Sequence, residues 1–296
     1  MRNTYKDGIL ANTCKSLQKL VKTYKNLQKR DLELIFKGAF TMTGLIPPFL
    51  TIALTGTPGT GKTEVSKRLE EEGYRILHLT EFIREYNIPS ERDADRDCDV
   101  VDMDALEEAV FEYQRQASRN YAKHFLNSNL CSDDIHSAPE NLPVLFIESH
   151  MAHYLCDLAI VFRTHPNVLK IRLDERGYSD KKVMENVLAE SIDIVLCDCF
   201  DYCRRIYEIN TSASPVGETA ECLKELAHAL YDDESEKHIE LDEQPDEQPD
   251  SAANSVFIDD GAVIYESGDD EPDYVKESHP ILAKYLPGKN DWSDVI

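Results

Sequence analysis

The sequence predicts an α/β fold in which a five-stranded parallel sheet lies between two layers of helices. Five short apolar runs alternate with stretches of helical pattern, which is typical of parallel strands joined by crossover helices. Runs of this kind form strands that helices cover on both faces. They are TIALT (51–55), YRILHL (74–79), VLFIE (144–148), LAIVF (158–162) and RIYEI (205–209).

Length and composition indicate one enlarged domain with appendages. The chain has 296 residues, and 42% of them are hydrophobic, which is enough for a sizeable core. It carries 32 basic and 56 acidic residues, a net charge of -24. A charge of this sign repels nucleic acid and anionic lipid. We therefore expect no membrane binding and no direct sequence-specific DNA binding.

The sequence predicts neither a membrane span nor a secretion signal. No run approaches the ~18 apolar residues of a membrane span, and lysines occupy the place of a signal peptide's apolar region. The eight cysteines form no CxxC pair, as in proteins that keep their thiols reduced. We therefore expect a cytoplasmic protein, or a nuclear one if the source is eukaryotic.

The two flanks of the domain have opposite charge. Residues 1–48 form a basic extension, with nine basic and three acidic residues up to Phe40. We expect this extension to be helical or disordered. Its apolar spacing fits either a basic helix that meets RNA or an acidic partner, or a helix that merely packs by its apolar stripe. Residues 232–273 hold 17 acidic residues against Lys237 alone and are predicted to be disordered. Residues 274–296 regain apolar character and contain Trp292, the only tryptophan of the sequence. We therefore expect this segment to dock onto the main domain, which spans about residues 49–231.

The motif with the clearest chemistry follows the first predicted strand. GTPGTGKT (56–63) matches the pattern G-x-x-x-x-G-K-[ST], and a helical stretch follows it. In this context the backbone N–H groups cradle phosphates, Lys62 neutralises the β- and γ-phosphates, and the Thr63 hydroxyl reaches Mg²⁺. The cofactors predicted are therefore ATP and Mg²⁺. The predicted nucleotide-binding residues here are Gly56, Gly59, Thr60, Gly61, Lys62, Thr63 and Glu64.

The third predicted strand supplies a second group at the same edge of the sheet. Glu148 ends this strand, where a second Mg²⁺ contact, direct or through water, is expected. Its alternative role is to cap the next helix. His150 is predicted to make a polar contact near the phosphates; its spacing from His153 also permits metal binding, but no third ligand with sensible spacing follows. Cys197, Cys199 and Cys203 are read as part of a buried helix face and not as metal ligands.

These motifs together resemble the adenylate kinase isoenzyme 6 family, archaeal and eukaryotic-nuclear P-loop kinases that are also described as ATPases in small-ribosomal-subunit maturation. The resemblance covers about residues 50–230 and the last ten or so. Besides the P-loop and the FIESH strand end, the motifs are REYNIPSERDADRDCDVVDMDAL (84–106), VFRTHPNVLKIRLDERGYSDKKVMENVLAES (161–191) and PGKNDWS near the C-terminus. It implies a three-layer P-loop NTPase fold of the nucleoside monophosphate kinase type.

The resemblance also implies roles for three arginines. Arg84, in a monophosphate-binding segment at about 80–103, would hold the phosphate of AMP or another nucleoside monophosphate. Arg176, in a lid at about 175–185, would close over ATP, and Arg163 would face the phosphates. Transfer of a phosphoryl group needs positioning and charge neutralisation, so these arginines, Lys62 and Mg²⁺ suffice in principle. Each arginine has a surface ion pair as its alternative.

Three functional hypotheses follow. The first is an adenylate kinase that interconverts ATP and AMP with two ADP, with ATPase activity beside it and a link to rRNA processing. The second is an ATPase switch that binds a small-subunit ribosomal protein or pre-ribosomal particle. The third is a P-loop kinase for another small molecule. Three features depart from the expected pattern. Glu148 stands where many P-loop enzymes have an aspartate, the basic extension has no counterpart in the family, and the insertion at about 114–141 and the acidic tail are likewise extra.

Overall fold

The computed structural model describes residues 48–93, 98–128, 134–242, 258–259, 262–263, 279–288, 290 and 292. The basic extension therefore lies outside the described residues, except for Pro48. The strands are β1 (Leu50–Thr55), β2 (Arg75–His78), β3 (Ser90–Asp93), β4 (Cys98–Val101), β5 (Val144–Glu148), β6 (Leu158–Arg163), β7 (Arg205–Asn210), β8 (Ile258–Asp259) and β9 (Ala262–Val263). The α-helices are α1 (Lys62–Glu71), α2 (Leu79–Glu85), α3 (Met103–Ser128), α4 (Pro166–Glu175), α5 (Asp180–Ser191), α6 (Ile194–Tyr202) and α7 (Val216–Asp242).

The main sheet has five parallel strands in the order β2-β5-β1-β6-β7. All five strands were predicted, and the parallel sheet is confirmed. Successive side chains of a strand point to opposite faces, so β1 supplies both cores. Ile52 and Leu54 pack on the face covered by α1 and α7, whereas Ala53 packs on the face covered by α2 and α6. Because all five strands run the same way, their carboxyl ends meet at one edge.

Two small elements adjoin this edge. The segment predicted to bind a monophosphate contains α2 and an antiparallel hairpin of β3 and β4. The lid was predicted at about 175–185. In the structure only residues 176–179 form a loop, between α4 and α5, because α5 already begins at Asp180. The first half of the predicted insertion is helical: α3 continues to Ser128, and its Tyr121 and Phe125 are buried in the core beside α7.

The prediction of disorder from Asp232 onward is wrong for residues 232–242, which continue α7. The physical reason lies in β7 and the residue before it. Arg205 is buried and donates hydrogen bonds to Asp233 (2.5 Å) and Glu234 (2.6 Å), while Arg204 pairs with Glu234 at 3.1 Å. The first acidic residues of the run are therefore part of the folded body.

The C-terminal residues 279–288, 290 and 292 pack on this body. Leu282 is fully buried in the core formed with α7. Gly288 N donates to Glu208 at 2.9 Å, and Trp292 lies edge-on to His165 with ring centroids 5.1 Å apart. None of the helices in the described ranges has the length and apolarity that crossing a membrane requires.

Candidate nucleotide-binding site

The loop between β1 and α1 is shaped by two glycines. Gly56 has φ +135°, and a Cβ atom there would lie 2.5 Å from the Phe162 carbonyl oxygen of β6, so the loop presses on this strand only if residue 56 is glycine. Gly61 has φ +96°, and a Cβ atom there would meet nothing within 4 Å. Gly61 is also the N-cap of α1 and has no side chain to occupy the first N–H groups of the helix. The loop is therefore packed on one side and open on the other, as a phosphate cradle requires.

Lys62 lies within this loop and is only 6% exposed. Its Nζ donates to the carbonyl oxygens of Gly56 (2.6 Å) and Thr57 (3.1 Å). Burial lowers the pKa of Lys62 to about 8, although the charges of Glu148 and Glu190 oppose this change. The ammonium is thus held at the loop, poorly hydrated and close to two carboxylates.

A carboxylate, a hydroxyl and an imidazole meet where β5 and β2 end beside α1. The Thr63 hydroxyl donates to Glu148 Oε1 at 3.0 Å, and His78 Nδ1 lies 3.1 Å from Glu148 Oε2. Burial of Glu148 opposes ionisation, but the bonds from His78 and Thr63 and the Lys62 charge outweigh it and lower the pKa of Glu148. His78 correspondingly has a raised pKa because it donates to this carboxylate. Glu148 therefore bonds to Thr63 at the start of α1, and its ionised oxygens suit Mg²⁺.

The two predicted histidines differ in environment. His150 is exposed, and its pKa is lowered by the surrounding protein and by the Lys62 charge, so its ring is neutral at pH 7. Its backbone oxygen accepts from the Thr55 hydroxyl at the end of β1 (3.2 Å). His153 is buried, and its Nδ1 lies 3.0 Å from the Thr55 hydroxyl. Burial lowers the pKa of His153 to about 4. His153 therefore stays neutral in the core, where it supports the end of β1.

A cleft of about 320 Å³ opens beside the loop. Arg176 is exposed at the C-terminal end of α4 and lines this cleft, and its charge contributes to the lowered pKa of Lys62. Arg172, one turn earlier, lines the same cleft and was not predicted. The cleft is also lined by Gly59, Thr60, Gly61, Glu64, Thr211 and Ser214. Arg84 is exposed on α2, at the neighbouring segment.

Arg163 does not face the phosphate site as predicted. It is only 2% exposed, and its guanidinium contacts three carboxylates: Glu190 at 2.9 Å, Glu208 at 2.5 Å, and Asp193. A buried guanidinium must be paired, and these partners use its Nε and both terminal nitrogens. We therefore assign Arg163 to holding Glu190 and not to binding ATP.

Besides Arg172, two residues that contact the predicted site had not been singled out from the sequence. His78 ends β2 and is paired in register with Glu148, so a search for polar residues at neighbouring strand ends could have found it. Glu190 accepts a hydrogen bond of 2.5 Å from the Thr57 hydroxyl, across 133 residues of sequence. No local pattern marks a contact of that separation.

Fold and site together define a class of protein. A P-loop follows the central strand of a parallel sheet ordered β2-β5-β1-β6-β7, and two small segments flank the loop. This is a three-layer α/β P-loop fold of the nucleoside monophosphate kinase type.

Comparison with known proteins identifies the family. The family described as "AAA domain" matches residues 52–193. A protein of Methanosarcina acetivorans named "Putative adenylate kinase" is 39% identical over 189 residues, which cover 64% of this chain and 91% of the relative. One of the same name from Methanocaldococcus jannaschii is 33% identical over 165 residues, which cover 55% of this chain and 77% of the relative. The chain belongs to the family of these archaeal proteins.

A solved structure of shikimate kinase from Bacteroides thetaiotaomicron also aligns with the chain. It is 16% identical, with a TM-score of 0.33, and the alignment covers 60% of this chain and 98% of that one. The family assignment above depends on the archaeal relatives alone. The narrower resemblance to the isoenzyme 6 family stays a prediction.

Proposed function

We propose that the protein is an adenylate kinase that transfers the γ-phosphoryl group of ATP to AMP with Mg²⁺. The observation that carries this proposal is the juxtaposition of Lys62, Thr63 and Glu148 at the open side of the P-loop, in a chain that belongs to a family whose relatives bear that name. An ammonium suits the phosphates of a nucleoside triphosphate, and a hydroxyl beside an ionised carboxylate suits the cation that accompanies them.

The reaction needs positioning and charge neutralisation more than acid–base chemistry. When ATP binds, Lys62 would exchange its two carbonyl partners for phosphate oxygens, whose negative charge raises its pKa and keeps it protonated. Arg176 would approach the phosphates from the loop at 176–179. Arg84 on α2 would hold the phosphate of the acceptor monophosphate. His150 would add a neutral polar contact near the loop.

Thr63 and Glu148 are the residues that would hold Mg²⁺. Both offer oxygen atoms, which this cation prefers, and Glu148 is ionised. Glutamate is one methylene longer than aspartate, and Glu148 already bonds to Thr63, so a contact through water fits this pair. A cation held there would neutralise negative charge on the phosphates of the nucleotide.

The test is chromatographic quantitation of ATP, ADP, AMP and inorganic phosphate after incubation with MgATP, with and without AMP. We expect ADP to form only when AMP is present, without release of phosphate. Lys62→Ala should lower turnover by orders of magnitude because it removes a charge at the transferred phosphoryl group. Near-normal turnover of that variant would contradict the proposal.

A second candidate is an ATPase that binds a small-subunit ribosomal protein or a pre-ribosomal particle. The observation in its favour is the composition of residues 243–273, which are strongly acidic and hold no lysine or arginine. A segment of this charge suits a basic partner. Phosphate release without AMP would support it, as would a salt-sensitive ribosomal partner that is lost when 243–273 is replaced by a neutral linker.

A further inference from the structure

Glu190 on α5 is the most connected carboxylate near the P-loop. It is 2% exposed, and its two oxygens serve three donors in different elements. Oε2 accepts from the Thr57 hydroxyl at 2.5 Å, whereas Oε1 accepts from Arg163 Nε and from the Thr164 backbone N–H, both at 2.9 Å. One buried side chain thus joins the P-loop, the end of β6 and the residue after it.

Glu190 lies in a cluster of charged side chains around Arg163. Arg163 is surrounded by Glu190, Glu208 and Asp193, so the cluster retains negative charge after Arg163 is paired. Lys62 feels the charge of Glu190 as well as that of Glu148. A buried carboxylate is costly to keep ionised unless donors surround it, and here one of those donors belongs to the P-loop.

We propose that Glu190 is a positioning residue, which holds Thr57 so that the P-loop is shaped for the phosphates of ATP. The inference rests on the proposed function and deepens it, since it assigns a role to a residue outside the P-loop motif. Thr57 also supplies, through its carbonyl oxygen, bonds to Lys62 Nζ (3.1 Å) and to the Thr60 hydroxyl (2.9 Å). Fixing Thr57 therefore fixes the partners of two further P-loop side chains.

The same network extends to the C-terminal residues. Glu208 Oε1 pairs with Arg163, while Glu208 Oε2 accepts from the Gly288 backbone N–H at 2.9 Å. The packed C-terminal segment thus reaches the P-loop through Glu208, Arg163 and Glu190. Of these three side chains, Glu190 is the one that bonds to the P-loop, through Thr57. Substituting Glu190 therefore tests whether the network acts on the loop.

The experiment measures KM for ATP and for AMP, and the Kd of MgATP, in full-length wild type, Thr57→Val, Thr57→Ser, Glu190→Gln and the Thr57→Val/Glu190→Gln double variant. Thr57→Val removes the donor at nearly constant shape, and Thr57→Ser restores it. Glu185→Gln is the matched control, because this glutamate lies on the same helix but is exposed. Melting temperatures report whether each variant is folded.

We expect Thr57→Val and Glu190→Gln each to raise KM and Kd for ATP about tenfold, the effect of losing one hydrogen bond to a charged group. KM for AMP should stay unchanged, which a general loss of structure would not permit. The double variant should be no worse than either single variant. Thr57→Ser and Glu185→Gln should resemble the wild type.

The possible failures are distinguishable. If the wild type does not bind MgATP, the proposed function is overturned and this inference with it. If the wild type binds MgATP and Thr57→Val binds it as tightly as Thr57→Ser, only the positioning role is overturned. If the double variant raises KM and Kd for ATP by the product of the two single effects, Thr57 and Glu190 act separately and the positioning role is likewise overturned. If Glu190→Gln does not fold, the comparison of Thr57→Val with Thr57→Ser still decides the question.

Discussion

Replacing Lys62 by methionine should stabilise the ligand-free protein while it abolishes ATP binding. Lys62 is buried, and its ammonium has exchanged water for two backbone carbonyls. Methionine has a similar length and carries no charge to desolvate. A binding site is where we expect a residue that is required for substrate binding but destabilises the protein when no substrate is bound.

The magnitude follows from the pKa of Lys62. Its fall from 10.5 to about 8 corresponds to about 3 kcal/mol of unfavourable interaction in the charged form. Methionine also leaves the Gly56 and Thr57 carbonyls without this donor, at about 0.5–1.5 kcal/mol for each hydrogen bond. The net gain should be about 1–2 kcal/mol at pH 7, or roughly 2–8 °C in melting temperature for a folded body of this size.

The gain should depend on pH in a defined direction. Below about pH 8, Lys62 is charged in the folded and unfolded forms, so the whole cost is present. As pH rises from about 8 towards 10.5, the folded form loses its proton first and the unfolded form binds more protons, which stabilises the wild type. The gain of Lys62→Met over wild type should therefore fall as pH rises and change sign on approach to pH 10.5, where only its hydrogen-bond loss remains.

Urea unfolding of both proteins at pH 7, 8, 9 and 10 without nucleotide measures this difference. Lys67→Met is the control, since this lysine lies on the same helix but is exposed. It should change stability by less than about 0.5 kcal/mol at every pH. A Lys62→Met protein that is less stable than wild type at pH 7, or a difference that does not change with pH, would refute the reasoning.

Three further predictions concern other parts of the molecule. Leu54→Asp should prevent folding because it buries an unpaired carboxylate in the central strand, and Leu54→Ala should cost about 2–5 kcal/mol in urea unfolding; an unshifted melting temperature for Leu54→Asp would contradict the buried position of β1. Arg84→Ala should raise KM for AMP at least about tenfold in a coupled assay and leave KM for ATP unchanged, whereas equal losses for both substrates would exclude a role in acceptor binding. Thr63→Val should weaken binding of MgATP about tenfold by calorimetry but spare ATP without Mg²⁺, and equal weakening of both would show that the hydroxyl does not serve the cation.

The sheet could be predicted because each of its strands carries a local signal. All five are short, apolar and separated by helical stretches, and a parallel sheet is the arrangement that buries such strands on both faces. The end of α7 could not be predicted from composition. Acidic residues favour disorder when solvent surrounds them, but Asp233 and Glu234 meet Arg204 and Arg205, which lie about 30 residues earlier in the sequence.

The candidate site likewise contains residues that local sequence could predict and residues that it could not. The P-loop residues lie next to one another in the sequence, so a motif describes them, and the end of a buried strand indicated Glu148. Arg163 was misassigned because a strand-end arginine in a P-loop protein suggests a phosphate contact. Its actual partners come from α5, from β7 and from Asp193, the residue before α6, and only the packed structure brings them together.

The carboxyl edge of the sheet thus concentrates buried charge beside the P-loop. Lys62, Glu148, Arg163 and Glu190 are all at most 9% exposed, although burying an unpaired charge costs several kcal/mol. Arg163 and Glu190 are fully paired with protein groups and so contribute rigidity. Within the described residues, the Lys62 ammonium donates hydrogen bonds to two backbone carbonyls and to no carboxylate, so phosphate oxygens would be stronger partners for it. Rigid, paired charges placed behind an underpaired lysine favour binding of an anionic nucleotide with little rearrangement of the loop.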